Sequence, residues 1–391
     1  MKRRGVVVLG ATGSVGRNAL DVIARFPRRF RATALCAGSN ARALVALARR
    51  YRPEAVCLAV GDAAQLRRDL PRGTRILLGE EGMLEATCAS NAEIVLAAAS
   101  GISSLRPVIA AAEMGKRIAL ANKELLVTAG KFVTAAARRG GAEILPVDSE
   151  HSAVLQAIGR SRREDILRVI LTASGGPFRN HSVARMRAAT VPEALGHPTW
   201  RMGAKISVDS ATLMNKGFEV IEATWLFGLP ARHIDVLIHP QSVIHSMVEF
   251  RDGSVLAQMG VPDMRIPIGY ALAYPERLPL ELPRLRPHRM QTWAFEAPDR
   301  KRFPALSLAY SAAETGGTAP AILNGANDEA VGAFLTGRIG FTDIVRVASR
   351  VLSGWRGSRV AGSLRDVLAA DELARREAQE SISRIRRPLT S

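Results

Sequence analysis

Cysteine is almost missing from the 391 residues: only Cys36, Cys57 and Cys88 occur, each in an apolar setting and without metal-site spacing. That argues against a disulfide framework and against thiolate chemistry, and it suits a reducing compartment. Aromatic residues make up 5% of the chain, and no aromatic-interleaved basic stripe is present. No apolar run approaches the roughly 20 residues needed to span a bilayer. The opening MKRR leads into VVVLG, too short an apolar stretch for a signal-peptide core. The expectation is a cytoplasmic protein with no membrane partner.

Acidic residues are outnumbered: the net charge is +18, which raises nucleic acid as a partner. The distribution argues against it. Arginines are spread along the chain, often in pairs such as Arg49-Arg50, Arg67-Arg68, Arg138-Arg139 and Arg162-Arg163, and there is no basic tail. A solvated surface is the favoured reading, with no nucleic acid partner. Lysine is scarce, limited to Lys2, Lys116, Lys123, Lys131, Lys205, Lys216 and Lys301 among 54 basic residues, so each lysine is worth inspecting.

The length implies two or three domains, and 47% hydrophobic residues suffice for real cores. Over residues 1–150, short runs such as GVVVLG, RATALCAGS, EAVCLAV, TRILLG, EIVLAAA, KRIALA and AEILPV alternate with helix-length segments. That pattern predicts an α/β fold with a Rossmann-like, doubly wound parallel sheet. Residues 151–275 change texture, with strand-like ILRVILTAS, HIDVLIHP, IHSMVEF and GSVLAQM, and read as a central α+β domain. Residues 276–304 form a proline-rich linker, and 305–391 a small C-terminal helical domain.

Gly10-Ala-Thr-Gly13-Ser-Val-Gly16 follows the first strand and opens a helix, the position for a pyrophosphate-binding turn. The second strand ends Gly38-Ser39-Asn40, with Arg42 nearby and no carboxylate for a ribose hydroxyl, so NADP(H) is expected rather than NAD. Arg42 also fits the exposed face of a helix.

Three polar groups follow. KRIALA finishes in Asn122-Lys123-Glu124, on the sheet edge where ligands gather. GAEILPV runs into Asp148, Ser149, Glu150, His151 and Ser152. On an extended backbone Asp148 and Glu150 point the same way, which suggests a Mg²⁺ or Mn²⁺ site, although an exposed capping turn fits this pair equally well. The third is the block His197 to Glu222. A helix is expected from Ser210 onward, making Asn215 and Glu219 i,i+4 neighbours beside Lys216. Hydroxyl, amide and ammonium there, with Ser174, suit a phosphate; Glu219 offers a third carboxylate. An exposed Trp200 with His197 reads as a closing lid.

GATGSVG, ANKE, PVDSEHSA, TASGGPF, HPTWRMGAKISVDSATLMNKGFEVIEA, IHPQSVIHSMVEF and GVPDMRIPI together resemble the 1-deoxy-D-xylulose 5-phosphate reductoisomerase family over nearly the whole chain. The resemblance implies an NADPH domain over 1–150, a catalytic domain over 151–275 with metal, substrate, flap and dimerisation, a C-terminal four-helix domain and a homodimer. It assigns NADPH to Thr12, Gly13, Ser14, Val15, Gly38, Asn40, Asn122, Glu124 and Gly203. Ser39 stands where many members carry a lysine, and Arg42 is expected to compensate. A divalent metal (Mn²⁺, Mg²⁺ or Co²⁺) is implied on Asp148, Glu150 and Glu219. The phosphorylated ketose falls to Lys123, Ser149, Glu150, Ser174, His197, Ser210, Asn215, Lys216 and Glu219, with Trp200 on the flap. Lys123, Glu150, His197 and Trp200 are the catalytic candidates. The implied reaction rearranges the ketose phosphate and reduces the resulting aldehyde to 2-C-methyl-D-erythritol 4-phosphate for isoprenoid precursors. A dehydrogenase without isomerase activity and a nucleotide- or RNA-binding protein are the rival readings.

Overall fold

The computed structural model describes residues 3–385 apart from 90, 201, 290, 291, 358 and 359; Lys2, and Arg201 of the lid motif, lie outside the described residues. Two compact units emerge, one of Met1–Leu125, Gly130–Ser152 and Asp263–Pro283, the other of Leu126–Ala129, Ala153–Pro262 and Arg284–Ser391.

The first unit holds seven strands: β1 (Arg4–Leu9), β2 (Phe30–Ala37), β3 (Ala55–Leu58), β4 (Arg75–Leu78), β5 (Ile94–Ala97), β6 (Arg117–Leu120) and β7 (Ile144–Pro146). Every pairing is parallel, in the order β4-β3-β2-β1-β5-β6-β7. Parallel strands covered by helices on both faces need continuous apolar runs, which is why VVVL, AVCL and IVLA are wholly buried. The order reverses between β1 and β5, and such a switch point opens a crevice at the carboxyl ends of the strands. The loops after β1, β2, β6 and β7 all leave from that edge.

Two local expectations needed correction. The chain is not extended at Asp148 and Glu150: β7 stops at Pro146 and a helix spans Ser149–Ile158. The cause is Asp148 itself, whose Oδ1 accepts from the Glu150 N–H at 3.1 Å and whose carbonyl accepts from Ser152 N–H at 2.9 Å. A short acidic side chain that bonds its own following backbone favours a helix start over a strand end. Likewise the helix expected from Ser210 begins at Ala204. It runs to Thr212, turns at Leu213 with φ 62°, and a second helix occupies Met214–Phe227.

The segment Asp263–Pro283 returns to the first unit although it follows the second sheet in sequence. Arg265 pairs with Asp263 at 2.6 Å and reaches Asp21 at 3.4 Å, and Arg29 meets Glu276 at 2.9 Å.

The second unit contains β8 (Ile166–Ala173), β9 (Ile234–Ile238), β10 (Ile244–Phe250) and β11 (Val255–Met259), ordered β11-β10-β8-β9. β8 and β9 are parallel; β10 runs antiparallel to β8 and to β11. Val169, Leu171, Val236 and Val248 form a core with Val220 and Ala223 of the helix Met214–Phe227. Four helices, Ala305–Thr315, Ala319–Leu335, Phe341–Gly354 and Leu364–Ser383, make the C-terminal part and share a second core with Val208, Met214 and Phe218. Close helix crossing explains Gly217: a Cβ there would lie 2.5 Å from that of Ala309.

Candidate active site

In the first unit the glycine loop is sterically dictated. Gly10 has φ 83°, and a Cβ on it would lie 2.3 Å from the Ala98 carbonyl oxygen. A Cβ on Gly16 would lie 2.3 Å from the Gly10 oxygen, so the helix Ser14–Arg25 can start only this close to the turn because both are glycine. Gly13 differs: it is exposed, and a Cβ would meet only its own turn at 3.4 Å. Nothing in the protein demands glycine there, whereas a pyrophosphate seated on the helix N-terminus would. Thr12 and Val15 are half-buried and Ser14 exposed around this turn. Gly10 and Ala11 donate their N–H groups to the Cys36 carbonyl, at 2.9 and 2.8 Å, which sets the loop beside the end of β2.

There Gly38, Ser39 and Asn40 are exposed, and the Asn40 carboxamide oxygen caps the next helix by accepting from Ala43 N–H at 2.9 Å. A cleft of about 950 Å³ is lined by Ser39, Asn40, Arg42, Arg49 and Asp69, among others. Arg42 and Arg49 are seven apart on one helix, hence on one face. Arg49 is held by Asp69 at 2.6 Å, and Arg42 is exposed.

At the end of β6 the Asn122 side chain donates to the carbonyls of Ala99 and Gly101 (2.6 Å for Gly101) and accepts from Glu124 N–H at 3.1 Å. It therefore acts as a local brace. Lys123 is 4% exposed, and its Nζ donates to Asp148 Oδ2 at 2.7 Å. Asp148 is thus compensated by a buried lysine and by a helix N-terminus. Ser149 donates to the Glu150 carboxylate, both half-buried. His151, fully buried, brings Nδ1 to 3.7 Å from Asp148 Oδ1.

The second unit gathers the remaining candidates. Ser174 Oγ lies 2.9 Å from His197 Nε2. His197 Nδ1 accepts from the N–H groups of Thr199 and Trp200, at 3.2 and 2.9 Å, so the neutral ring carries its proton on Nε2 and donates to Ser174. The same turn draws Trp200 in: it is half-buried, not exposed as expected. Ser210, half-buried, neighbours the Ser174 loop, since a Cβ on Gly176 would lie 2.8 Å from the Ser210 carbonyl oxygen. Past the Leu213 break, Asn215 Nδ2 donates to Glu219 Oε1 at 2.6 Å, and Lys216 Nζ donates to Glu219 Oε2. The i,i+4 expectation for Asn215 and Glu219 holds. Glu219 is 1% exposed and Lys216 3%, so this pair is a buried charge assembly. Gly203 caps the helix Ala204–Thr212 and is exposed, with nothing within 4 Å of a Cβ.

Residue-type reasoning passed over two buried side chains here, Asp209 and Asn327, joined at 2.7 Å. Asp209 had a signal, its i,i+4 spacing from the scarce Lys205; Asn327, distant in sequence, had none.

Carboxylates such as those of Asp148, Glu150 and Glu219 are hard oxygen donors of the kind that hold small divalent cations, and the open Gly13 turn suits a dinucleotide.

Residues 6–130 match the model of 1-deoxy-D-xylulose 5-phosphate reductoisomerase, residues 144–227 that of its C-terminal domain, and residues 259–377 that of the DXP reductoisomerase C-terminal domain. The enzyme of that name from Anaeromyxobacter dehalogenans is 50% identical over 383 residues, covering 98% of this chain and 97% of the relative. That from Methylobacillus flagellatus is 51% identical over 385 residues, covering 96% and 97%. Among solved structures, the Zymomonas mobilis enzyme in complex with NADPH matches at 43% identity and TM-score 0.91, covering 98% of this chain and 100% of that one. A reductoisomerase in complex with NADPH, fosmidomycin and magnesium matches at 42% identity and TM-score 0.92, covering 97% and 98%.

Burial lowers the His197 pKa from 6.5 to about 4. The folded state therefore favours the neutral ring: its stabilising contribution is full above about 6.5 and is lost as pH falls toward about 4. The expected outcome in an imidazole NMR titration is a His197 midpoint near 4, abolished as a separate signal in His197→Gln; a midpoint near 6.5 contradicts it.

Proposed function

This chain belongs to the 1-deoxy-D-xylulose 5-phosphate reductoisomerase family, and we propose that the residues described above carry out that family's reaction in it. The chain is an NADPH- and divalent-metal-dependent oxidoreductase that converts 1-deoxy-D-xylulose 5-phosphate to 2-C-methyl-D-erythritol 4-phosphate, in non-mevalonate isoprenoid precursor synthesis. The observation that carries this reading is the near-complete, 50% identical alignment to the reductoisomerase of A. dehalogenans.

When bound, the cation supplies Lewis-acid polarisation of substrate oxygens and NADPH supplies hydride. Asp148, Glu150 and Glu219 are the proposed metal ligands. Thr12, Gly13, Ser14 and Val15 would hold the pyrophosphate; Gly38, Ser39 and Asn40 the adenosine end; Asn122, Glu124 and Gly203 the remainder of the dinucleotide. Lys123, buried and already holding Asp148, would present its ammonium to a substrate oxygen at that carboxylate. Glu150, with Ser149 donating to it, is positioned to hold a hydroxyl proton. The substrate phosphate falls to Ser174, Ser210, Asn215 and Lys216, with neutral His197 donating through Nε2. Binding energy from the phosphate, remote from the reacting carbons, orients the ketose. Trp200 and its lid would exclude water.

The four segments 1–150, 151–275, 276–304 and 305–391 are proposed as cofactor, catalytic, linker and helical domains. A homodimer is proposed as well. β11 sits at the edge of the second sheet with Val255 and Leu256 at 48% and 50% exposure, a strand that a second copy would cover. Among the described residues no helix is long and apolar enough to cross a membrane; a cytoplasmic location is the proposal.

The direct test is NADPH oxidation with 1-deoxy-D-xylulose 5-phosphate. Turnover is expected with Mn²⁺, lost with EDTA and restored by added metal. Glu219→Gln is expected to lower kcat by about 10²-fold or more, the scale of several kcal/mol of Lewis-acid stabilisation. EDTA-insensitive turnover, or full activity in the variant, rejects the reading.

Ser39 offers no charge to a 2′-phosphate, so Arg42 is assigned that role. Arg42→Ala is expected to lower the NADPH over NADH preference about tenfold, one charge-assisted hydrogen bond. An unchanged ratio of kcat/KM values counts against it.

A further inference from the structure

The helix Ala204–Thr212 begins where the lid motif ends and carries Ser210 in its last turn. Beside Ser210, Asp209 is 3% exposed. One of its oxygens accepts from Asn327 Nδ2 at 2.7 Å; the other meets Lys205 Nζ at 3.0 Å. Asn327 is fully buried within the helix Ala319–Leu335. Lys205 also pairs with Asp328 at 3.1 Å, and Asp328 is bound by Arg375 at 2.7 Å. Arg375 in turn grips Asp371 at 2.7 Å on the last helix, Leu364–Ser383. A continuous line of paired charge thus runs from the C-terminal helices to the residue preceding Ser210.

Simple cohesion does not explain this line. Burial pushes the Asp209 carboxyl up from its ordinary value, so the ionised form is held at a cost. Well-packed apolar residues at such a place are often as stabilising or more so. What the polar assembly adds is directionality: two ties to the helix Ala319–Leu335, Asn327 to Asp209 and Asp328 to Lys205, set the rotation and height of a short helix. The Ser174 loop would feel any shift, because Gly176 packs on the Ser210–Ala211 backbone too tightly to admit a Cβ.

We propose that Asp209 and Asn327 are positioning residues for the substrate phosphate, through which the C-terminal helices set the placement of Ser210 and the Ser174 loop. The proposal rests on reading Ser210 as a phosphate contact. Neither residue touches substrate; both act through the helix.

The test compares Asn327→Leu, Asp209→Asn and Ser210→Ala in the full-length enzyme. Steady-state kinetics would be joined by competitive inhibition with inorganic phosphate and by thermal unfolding. For Asn327→Leu, the KM for the ketose phosphate and the Ki for phosphate are expected to rise together about tenfold, with kcat and the KM for NADPH within about twofold. Asp209→Asn keeps an acceptor for Asn327 and is expected to give a smaller rise in the same two constants. It carries the test by itself if Asn327→Leu does not fold. An unchanged KM and Ki in a folded Asn327→Leu, with Ser210→Ala impaired, overturns this inference alone. So does a fall in kcat and in NADPH affinity that merely follows the loss of thermal stability. A Ser210→Ala enzyme with normal KM and Ki overturns the phosphate seat, and the inference with it.

Discussion

A carboxylate taken out of water must be met by a positive or hydrogen-donating partner, and this protein places its chemistry where that requirement is strictest. Asp148 is held by Lys123 at 2.7 Å in the first unit; Glu219, 1% exposed, is held by Lys216 and Asn215 in the second. Asp209 repeats the pattern with Lys205 and Asn327. Removing one partner of such a buried pair leaves an uncompensated charge, at about 3–5 kcal/mol, against a typical total stability of only about 5–15 kcal/mol. These assemblies are therefore constraints on the fold as well as candidate machinery.

The same constraint explains why scarce lysines matter. Arginine supplies most of the positive charge, in exposed pairs of small energetic weight such as Arg376 with Glu372. The lysines at 123 and 216 are buried, and each ends on a carboxylate assigned here to the metal. A compact ammonium is a point charge that offsets a neighbouring carboxylate at short range. His197 follows a different logic: its ring is locked by two backbone N–H groups on Nδ1, leaving Nε2 as a fixed neutral donor toward Ser174.

Much of this was legible in the sequence, for identifiable reasons. The runs VVVL, AVCL and IVLA read as buried parallel strands because nothing polar interrupts them, and glycines at 10 and 16 read as a tight turn because no side chain fits there. The Asn215–Glu219 pair followed from helical spacing alone. Failures were local or long-range. Spacing by two suggested an extended backbone at Asp148, but an aspartate bonding its own chain two residues on wins over strand parity. KISVDSAT carries β-branched residues that disguise a helix; packing of Val208 into the second core overrides that propensity. The return of Asp263–Pro283 to the first unit, and Asn327 opposite Asp209, depend on partners far apart in the chain that no local pattern announces.

Asp148, Glu150 and Glu219 are proposed here as ligands of one divalent cation. Crystals grown with Mn²⁺ and measured for anomalous scattering test this most directly. One strong peak is expected, with an oxygen of each of the three carboxylates about 2.1 Å away. A peak ligated without Glu219, or no peak at saturating metal, would contradict it.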